Sequence, residues 1–240
     1  MSLTDSTLAR DRLILALDVP HMEAGLALLN QVKGQVGLIK VGLELFTASG
    51  PAAVEQVQKM GFEVFLDLKL HDIPNTVAKA VLSARTLGVS MLTVHTGGGK
   101  TMLSKAAEAA GDEVKLLGVT LLTSLGAEDL EPAAILPDPA EVVHRRTILA
   151  RESGLTGIVC SPMEIKQVRQ TMGPEGTIVT PGIRPKDAAT GDQKRAATPP
   201  SAIGDGADYL VIGRPIHASN NPAQAASRIV DEIAAALKNR

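Results

Sequence analysis

The sequence predicts an α/β chain folded as a single (β/α)8 TIM barrel, and three observations carry that prediction. Eight short apolar runs alternate with longer amphipathic stretches, and strands that alternate with helices are parallel strands joined by crossovers. The chain has 240 residues, close to the ~250 of one such barrel. Hydrophobic residues make up 45 % of it, mostly Leu, Val, Ile and Ala, the short aliphatics that fill parallel sheets covered on both faces. An open doubly wound sheet is the alternative, because a strand count alone does not prove closure.

The eight strands are expected at 12–18, 37–42, 62–68, 90–95, 115–121, 156–160, 177–181 and 208–213. Each is a short run rich in branched aliphatics. Helical stretches are expected between them, at 21–33, 51–60, 75–88, 100–110, 139–153, 163–172 and 222–238. Gly34, Gly61, Gly88 and Gly154 fall near the ends of such stretches, where a helix-terminating glycine belongs. Residues 1–11 read as a polar tail and 12–240 as one domain, with no internal linker and no low-complexity segment. Two strand-to-helix connections, 122–138 and 182–207, are long. Long loops in compact domains are commonly functional, and in a barrel these lie on the C-terminal face, where active sites sit.

Composition excludes several classes. The net charge is −2 with Lys and Arg scattered, so no basic patch for nucleic acid or for an anionic membrane is visible. Phe46, Phe62, Phe65 and Tyr209 are the only aromatics, too few for the stacking platform of a single-strand binder. One cysteine, Cys160, excludes an internal disulfide framework and suits a reducing compartment. The polar start lacks a signal-peptide core, and no apolar run approaches ~18 residues. A cytoplasmic protein is expected.

The informative pattern is charge at the ends of apolar strands. Asp18 follows the first, Lys40 interrupts the second, Asp67 and Lys69 interrupt VFLDLKL, and His95 ends the fourth. Residues two apart on a strand share a face, so Asp67 and Lys69 are expected to point the same way, with Phe65 below them. Asp72 follows, just before Ile73 and Pro74, and Pro74 is well placed as a first helical residue. Such a set could be buried ion pairs plus a helix-start carboxylate. Buried pairs add little net stability, however, so five converging charges point to a site. His71 could hold a helix start or touch a ligand, and His95 could satisfy a backbone carbonyl. Carboxylates also bind hard cations, but two lysines among these acids would occupy that space.

A second pattern lies near the C-terminus. The seventh strand runs into Thr180-Pro181-Gly182-Ile183-Arg184-Pro185 and the eighth into Gly213-Arg214-Pro215. Glycine admits an anion close to the backbone, helix starts favour phosphate, and Arg adds a charge-assisted fork. Loops after the seventh and eighth strands are the usual phosphate grip of barrels. The expected fold is therefore a barrel of the phosphate-binding type.

With these residues in view, the chain resembles the orotidine 5′-phosphate decarboxylase family. The segments that carry the resemblance are LALDV (15–19), IKVGLELF (39–46), FLDLKLHDIPNTV (65–77), VTLLTS (119–124), VTPGIRP (179–185), GDQKR (191–195) and VIGRPI (211–216). They come in the family's order, span about 12–237, and DLKLHDIPNT is the most specific. Thr96 departs from the pattern, standing where the family is expected to have a smaller residue. The resemblance implies decarboxylation of orotidine 5′-monophosphate to UMP and CO2, the last step of de novo UMP synthesis, without metal or organic cofactor. It implies Lys69 as proton donor within a Lys40-Asp67-Lys69-Asp72 network. Asp72 and Thr76 would serve the partner's site in a homodimer. Asp18 and Lys40 would hold ribose hydroxyls, and Thr123 would help enclose the nucleotide. Arg184, Gln193, Gly213 and Arg214 would grip phosphate, Gln193 from a closing loop.

The chemistry suits these residues. Loss of CO2 from pyrimidine C6 leaves a poorly delocalised carbanion, and a fixed cation beside C6 both stabilises it and supplies the proton. Flanking carboxylates favour the charged form of Lys69. Two other functions fit parts of the pattern. One is a related barrel enzyme acting on a sugar phosphate through a Mg²⁺-stabilised enediolate. Such relatives place an acidic ligand where this chain has Lys40, which would repel the metal. The other is a phosphate-ligand sensor, which needs Arg184 and Arg214 but no lysine among acids.

Overall fold

The computed structural model describes residues 8–185 and 197–239. Its eight strands are β1 (Leu13–Ala16), β2 (Leu38–Gly42), β3 (Glu63–Leu70), β4 (Met91–His95), β5 (Lys115–Val119), β6 (Gly157–Val159), β7 (Thr177–Thr180) and β8 (Tyr209–Ile212). All neighbours pair in parallel, and β8 pairs with β1, so the sheet closes in sequence order. The expected barrel is the observed one, and the open sheet is excluded.

Closure sorts the side chains by parity. Ile14, Leu38, Phe65, Met91, Leu117, Val179 and Val211 form an inner cluster, one from each of seven strands, as successive residues of a strand face opposite sides. The alternate residues, such as Leu13, Ile39, Val64 and Leu92, belong to a larger cluster between barrel and helices. On β2, β3 and β4, moving two residues along from the inner cluster gives Lys40, Asp67 and Thr93. The apolar plug is thereby capped on its C-terminal side by polar groups, which is the architectural reason a site can exist there.

The crossover helices follow local rules. Pro74 is the first residue of the helix Pro74–Thr86, with Ile73 as its cap. Asp138 Oδ1 accepts from the backbone N–H groups of Ala140 and Glu141, starting Pro139–Glu152. Gly34, Gly61, Gly88 and Gly154 all have positive φ, as glycines that end helices do.

Both long connections need correction. The segment 122–138 contains the helix Ala127–Leu130, and 182–207 contains the helix Pro199–Asp205. The latter is the crossover between β7 and β8. Thr198 accepts from Ser201 N–H at its start, and Pro199 is its first residue. Pro199-Pro200 reads as loop, and seven residues including Gly204 show too little of a 3.6-residue period to be recognised. The helices Leu43–Ser49 and Arg214–His217 were equally too short to show one. Residues 8–11 are helical and Ala9 lies in the core, whereas a polar tail was expected over 1–11.

Candidate functional site

β3 supplies the centre of the site, and it does so by breaking its ladder. Leu66 pairs with Leu92 but Leu70 pairs with Val94. Four residues on β3 therefore advance against two on β4, a bulge of the kind that re-aims side chains beside functional sites. Lys69 sits inside it with φ +50, a left-handed conformation rare outside glycine. The expectation that Asp67 and Lys69 share a face by simple alternation is thus met by a different geometry. Lys69 Nζ reaches Asp67 Oδ2 at 2.8 Å because the backbone turns, not because the strand is regular.

Lys40 comes from β2 and is buried. Its Nζ donates to Asp18 Oδ1 at 2.9 Å and lies 3.9 Å from Asp67 Oδ2. Asp18, Lys40, Asp67 and Lys69 thus form a continuous row of alternating charge. Each cation is engaged by a carboxylate, which balances the charge of a group moved away from water. Among the described residues, no cluster of three His, Cys, Asp or Glu side chains stands ready to hold a metal ion.

A cavity of about 270 Å³ opens above Phe65 and Val211. Asp18, Lys40, Asp67, Lys69, Thr123, Arg184, Gly213 and Arg214 are all among the residues that line it. Eight of the eleven residues expected at the site therefore meet in one space. Gln193 lies outside the described residues. Asp72 and Thr76 do not line the cavity; both are exposed, and Asp72 Oδ1 accepts from Ile73 N–H at 2.6 Å.

Two residues beside this row gave a weaker sequence signal. Thr93 is fully buried and bonded to both Asp67 and Lys69. Its parity with Met91 and His95 could have found it. Arg146, on the helix Pro139–Glu152, donates to the Thr120 carbonyl at 2.6 Å. It sits next to His95, which no linear spacing reveals. Thr96, the departure from the family pattern, is buried and donates to the Val119 carbonyl at 2.9 Å. A Cβ on Gly118 would lie 2.8 Å from the Thr96 methyl, so Gly118 makes the room that Thr96 takes.

His95 stacks on His71 with ring centroids 5.4 Å apart. Its Nδ1 accepts from Gly97 N–H at 3.3 Å, so it binds the backbone as an acceptor rather than satisfying a carbonyl. Burial pushes its pKa down to about 4, and the nearby charges of Arg146, His71 and Lys69 act in the same direction. The sign follows directly. Unfolded His95 takes up its proton near pH 6.5 and folded His95 does not until about 4, so stability present above 6.5 is lost as pH falls between the two. Thermal unfolding should show the melting temperature of the wild type dropping across this window, with a shallower slope in His95→Gln. Equal slopes would show that His95 does not carry the effect.

Known proteins resemble this chain over nearly its whole length. The family described as orotidine 5′-phosphate decarboxylase / HUMPS matches residues 11–229. A protein of Moorella thermoacetica named orotidine 5′-phosphate decarboxylase is 50 % identical, covering 94 % of this chain and 93 % of that protein. One of the same name from Trichlorobacter lovleyi is 49 % identical, covering 96 % and 98 %. The crystal structure of orotidine 5′-phosphate decarboxylase from Lactobacillus acidophilus superposes with a TM-score of 0.82 at 35 % identity, covering 92 % of this chain and 98 % of that one. With the barrel, the charged row on β1 to β3 and the arginines after β7 and β8 already in place, these matches settle the affiliation: the chain belongs to the orotidine 5′-phosphate decarboxylase / HUMPS family.

Proposed function

We propose that this protein is a carboxy-lyase that converts orotidine 5′-monophosphate to UMP and CO2, the step that completes de novo UMP synthesis. The observation that carries the mechanism is the Lys69 ammonium held 2.8 Å from Asp67 at the edge of the cavity. The C6–carboxylate bond breaks, CO2 departs, and the electron pair left on C6 faces the Lys69 ammonium. Lys69 then gives C6 a proton and is itself reprotonated from water. A preorganised cation beside the developing charge needs no rearrangement as the charge forms.

The other residues orient the substrate. Asp18 and Lys40 hold the ribose hydroxyls. Arg184 and Arg214, with the Gly213 backbone, take the phosphate, and Gln193, which lies outside the described residues, is assigned to the same group by resemblance. Thr123 encloses the nucleotide from the loop after β5. Phosphate binding, remote from C6, contributes by closing the site and excluding water. Asp72 and Thr76 act on the partner's site in a homodimer, a role supported by their exposure and by Ile73 between them, which is 67 % exposed. No metal or organic cofactor takes part, and no nucleic acid or membrane is a partner. Among the described residues no helix is long and apolar enough to cross a membrane. The cytoplasm is the proposed compartment, consistent with a single buried cysteine, Cys160.

A spectrophotometric assay tests this function. Absorbance of orotidine 5′-monophosphate should decline on adding the protein, at the same rate with and without EDTA. No decline, or an EDTA-sensitive turnover of a sugar phosphate instead, would overturn the assignment.

A further inference from the structure

Thr93 closes a ring of hydrogen bonds around the reacting pair. Its Oγ1 accepts from the Lys69 backbone N–H at 2.8 Å and donates to Asp67 Oδ1 at 3.0 Å. The other carboxylate oxygen of Asp67 receives Lys69 Nζ at 2.8 Å. One hydroxyl therefore ties together the backbone of the lysine and the side chain that orients the lysine's ammonium.

The bulge explains why such a tie is needed. Between Leu66 and Leu70 the regular β3–β4 ladder is interrupted. The Lys69 N–H finds its partner in a side chain instead, at the residue whose φ of +50 is the least favourable in the strand. Thr93 is fully buried, so no water competes for its hydroxyl, and a β-branched side chain in a strand has little χ1 freedom. It is not among the residues that line the cavity, whereas Asp67 and Lys69, which it holds, are.

We propose that Thr93 is a positioning residue for the decarboxylation, whose hydroxyl fixes the Lys69 ammonium relative to Asp67 across the β3 bulge. The proposal rests on the decarboxylase function above. It separates the two halves of the site: the phosphate grip stands on the loops after β7 and β8 and does not depend on Thr93. Removing the hydroxyl should therefore lower kcat and leave substrate binding in place.

The test is steady-state kinetics with orotidine 5′-monophosphate on the wild type, Thr93→Val and Thr93→Ser. Val keeps the shape and loses the hydroxyl. Its kcat should fall on the order of 10²-fold, as misplacement of a catalytic group does, with KM changed less than about threefold. Ser keeps the hydroxyl and should restore most of kcat. A Val variant within about threefold of wild-type kcat overturns the proposal. So does a loss in Val that Ser does not rescue, or one accompanied by an equal rise in KM, since either is what a merely structural residue would give. Should Thr93→Val not fold, Thr93→Ala reads the same property, because it too has neither donor nor acceptor in its side chain; wild-type kcat in that variant also overturns it. An inactive wild type fails the function itself, whereas an active wild type with an active Thr93→Val fails only the role of Thr93.

Discussion

Lys69→Ala should abolish turnover while the protein still folds and still binds UMP. The fall in kcat should be at least about 10⁴-fold, since one group supplies both the electrostatic stabilisation of the carbanion and its proton, effects worth roughly 10²–10³ and 10²–10⁴ each. Folding should survive because Lys69 is 30 % exposed and Asp67 does not lose all its partners. Asp67 keeps Lys40 Nζ at 3.9 Å and the Thr93 hydroxyl at 3.0 Å. UMP binding should change little, because Arg184 and Arg214 come from the connections after β7 and β8, not from β3, and remain in place. Near-normal turnover in this variant would sink the mechanism.

The size of that loss also weighs the alternative in which Asp67 drives the reaction by repelling the substrate carboxylate. Two like charges at 4 Å repel by about 4 kcal/mol at an effective dielectric of 20, a factor of roughly 10³ in rate. Asp67 is already paired to Lys69 at 2.8 Å, which offsets part of that repulsion. Lys69→Ala leaves Asp67 in place and relieves the pairing. If repulsion dominated, the variant would keep much of its activity; if Lys69 dominates, it keeps almost none.

What the sequence reveals of this fold follows from which features are periodic. The eight strands are legible because each is a run of buried aliphatics, whereas closure shows only in the pairing of β8 with β1, since a strand count fits an open sheet as well. The crossover Pro199–Asp205 is not legible, because two turns opening on Pro-Pro and holding a glycine show no apolar stripe. In the site, Asp67, Lys69, Lys40 and Asp18 stand out as charges in apolar strands. The bulge that brings Lys69 to Asp67 does not, because nothing in DLKL marks positive φ at a lysine. Thr93 escapes notice for the opposite reason: threonine is at home in strands, so a working hydroxyl there looks like ordinary filler. Arg146 meets His95 only through the tertiary fold.

Asp72 gives the second large effect, and its test reaches beyond one subunit. Within this chain the Asp72 carboxylate accepts from Ile73 N–H. Among the described residues it makes no ion pair with Lys69, and the side chain is exposed outside the cavity. If it completes the partner's site, Asp72→Ala should lose most of its activity although nothing within its own cavity has changed. The two inactive variants should then rescue each other. In a heterodimer of Lys69→Ala and Asp72→Ala, one site contains both substitutions and the other contains neither, because an isologous interface exchanges the same residues in both directions. Random mixing in equal amounts makes half the dimers mixed, with one intact site in two, so activity should rise to about one quarter of wild type. Unfolding and refolding the variants together allows the exchange, and light scattering checks that dimers form. Dimers that form without any recovery would place Asp72 in its own subunit's chemistry or in none. A chain that remains monomeric and fully active would remove the shared site altogether.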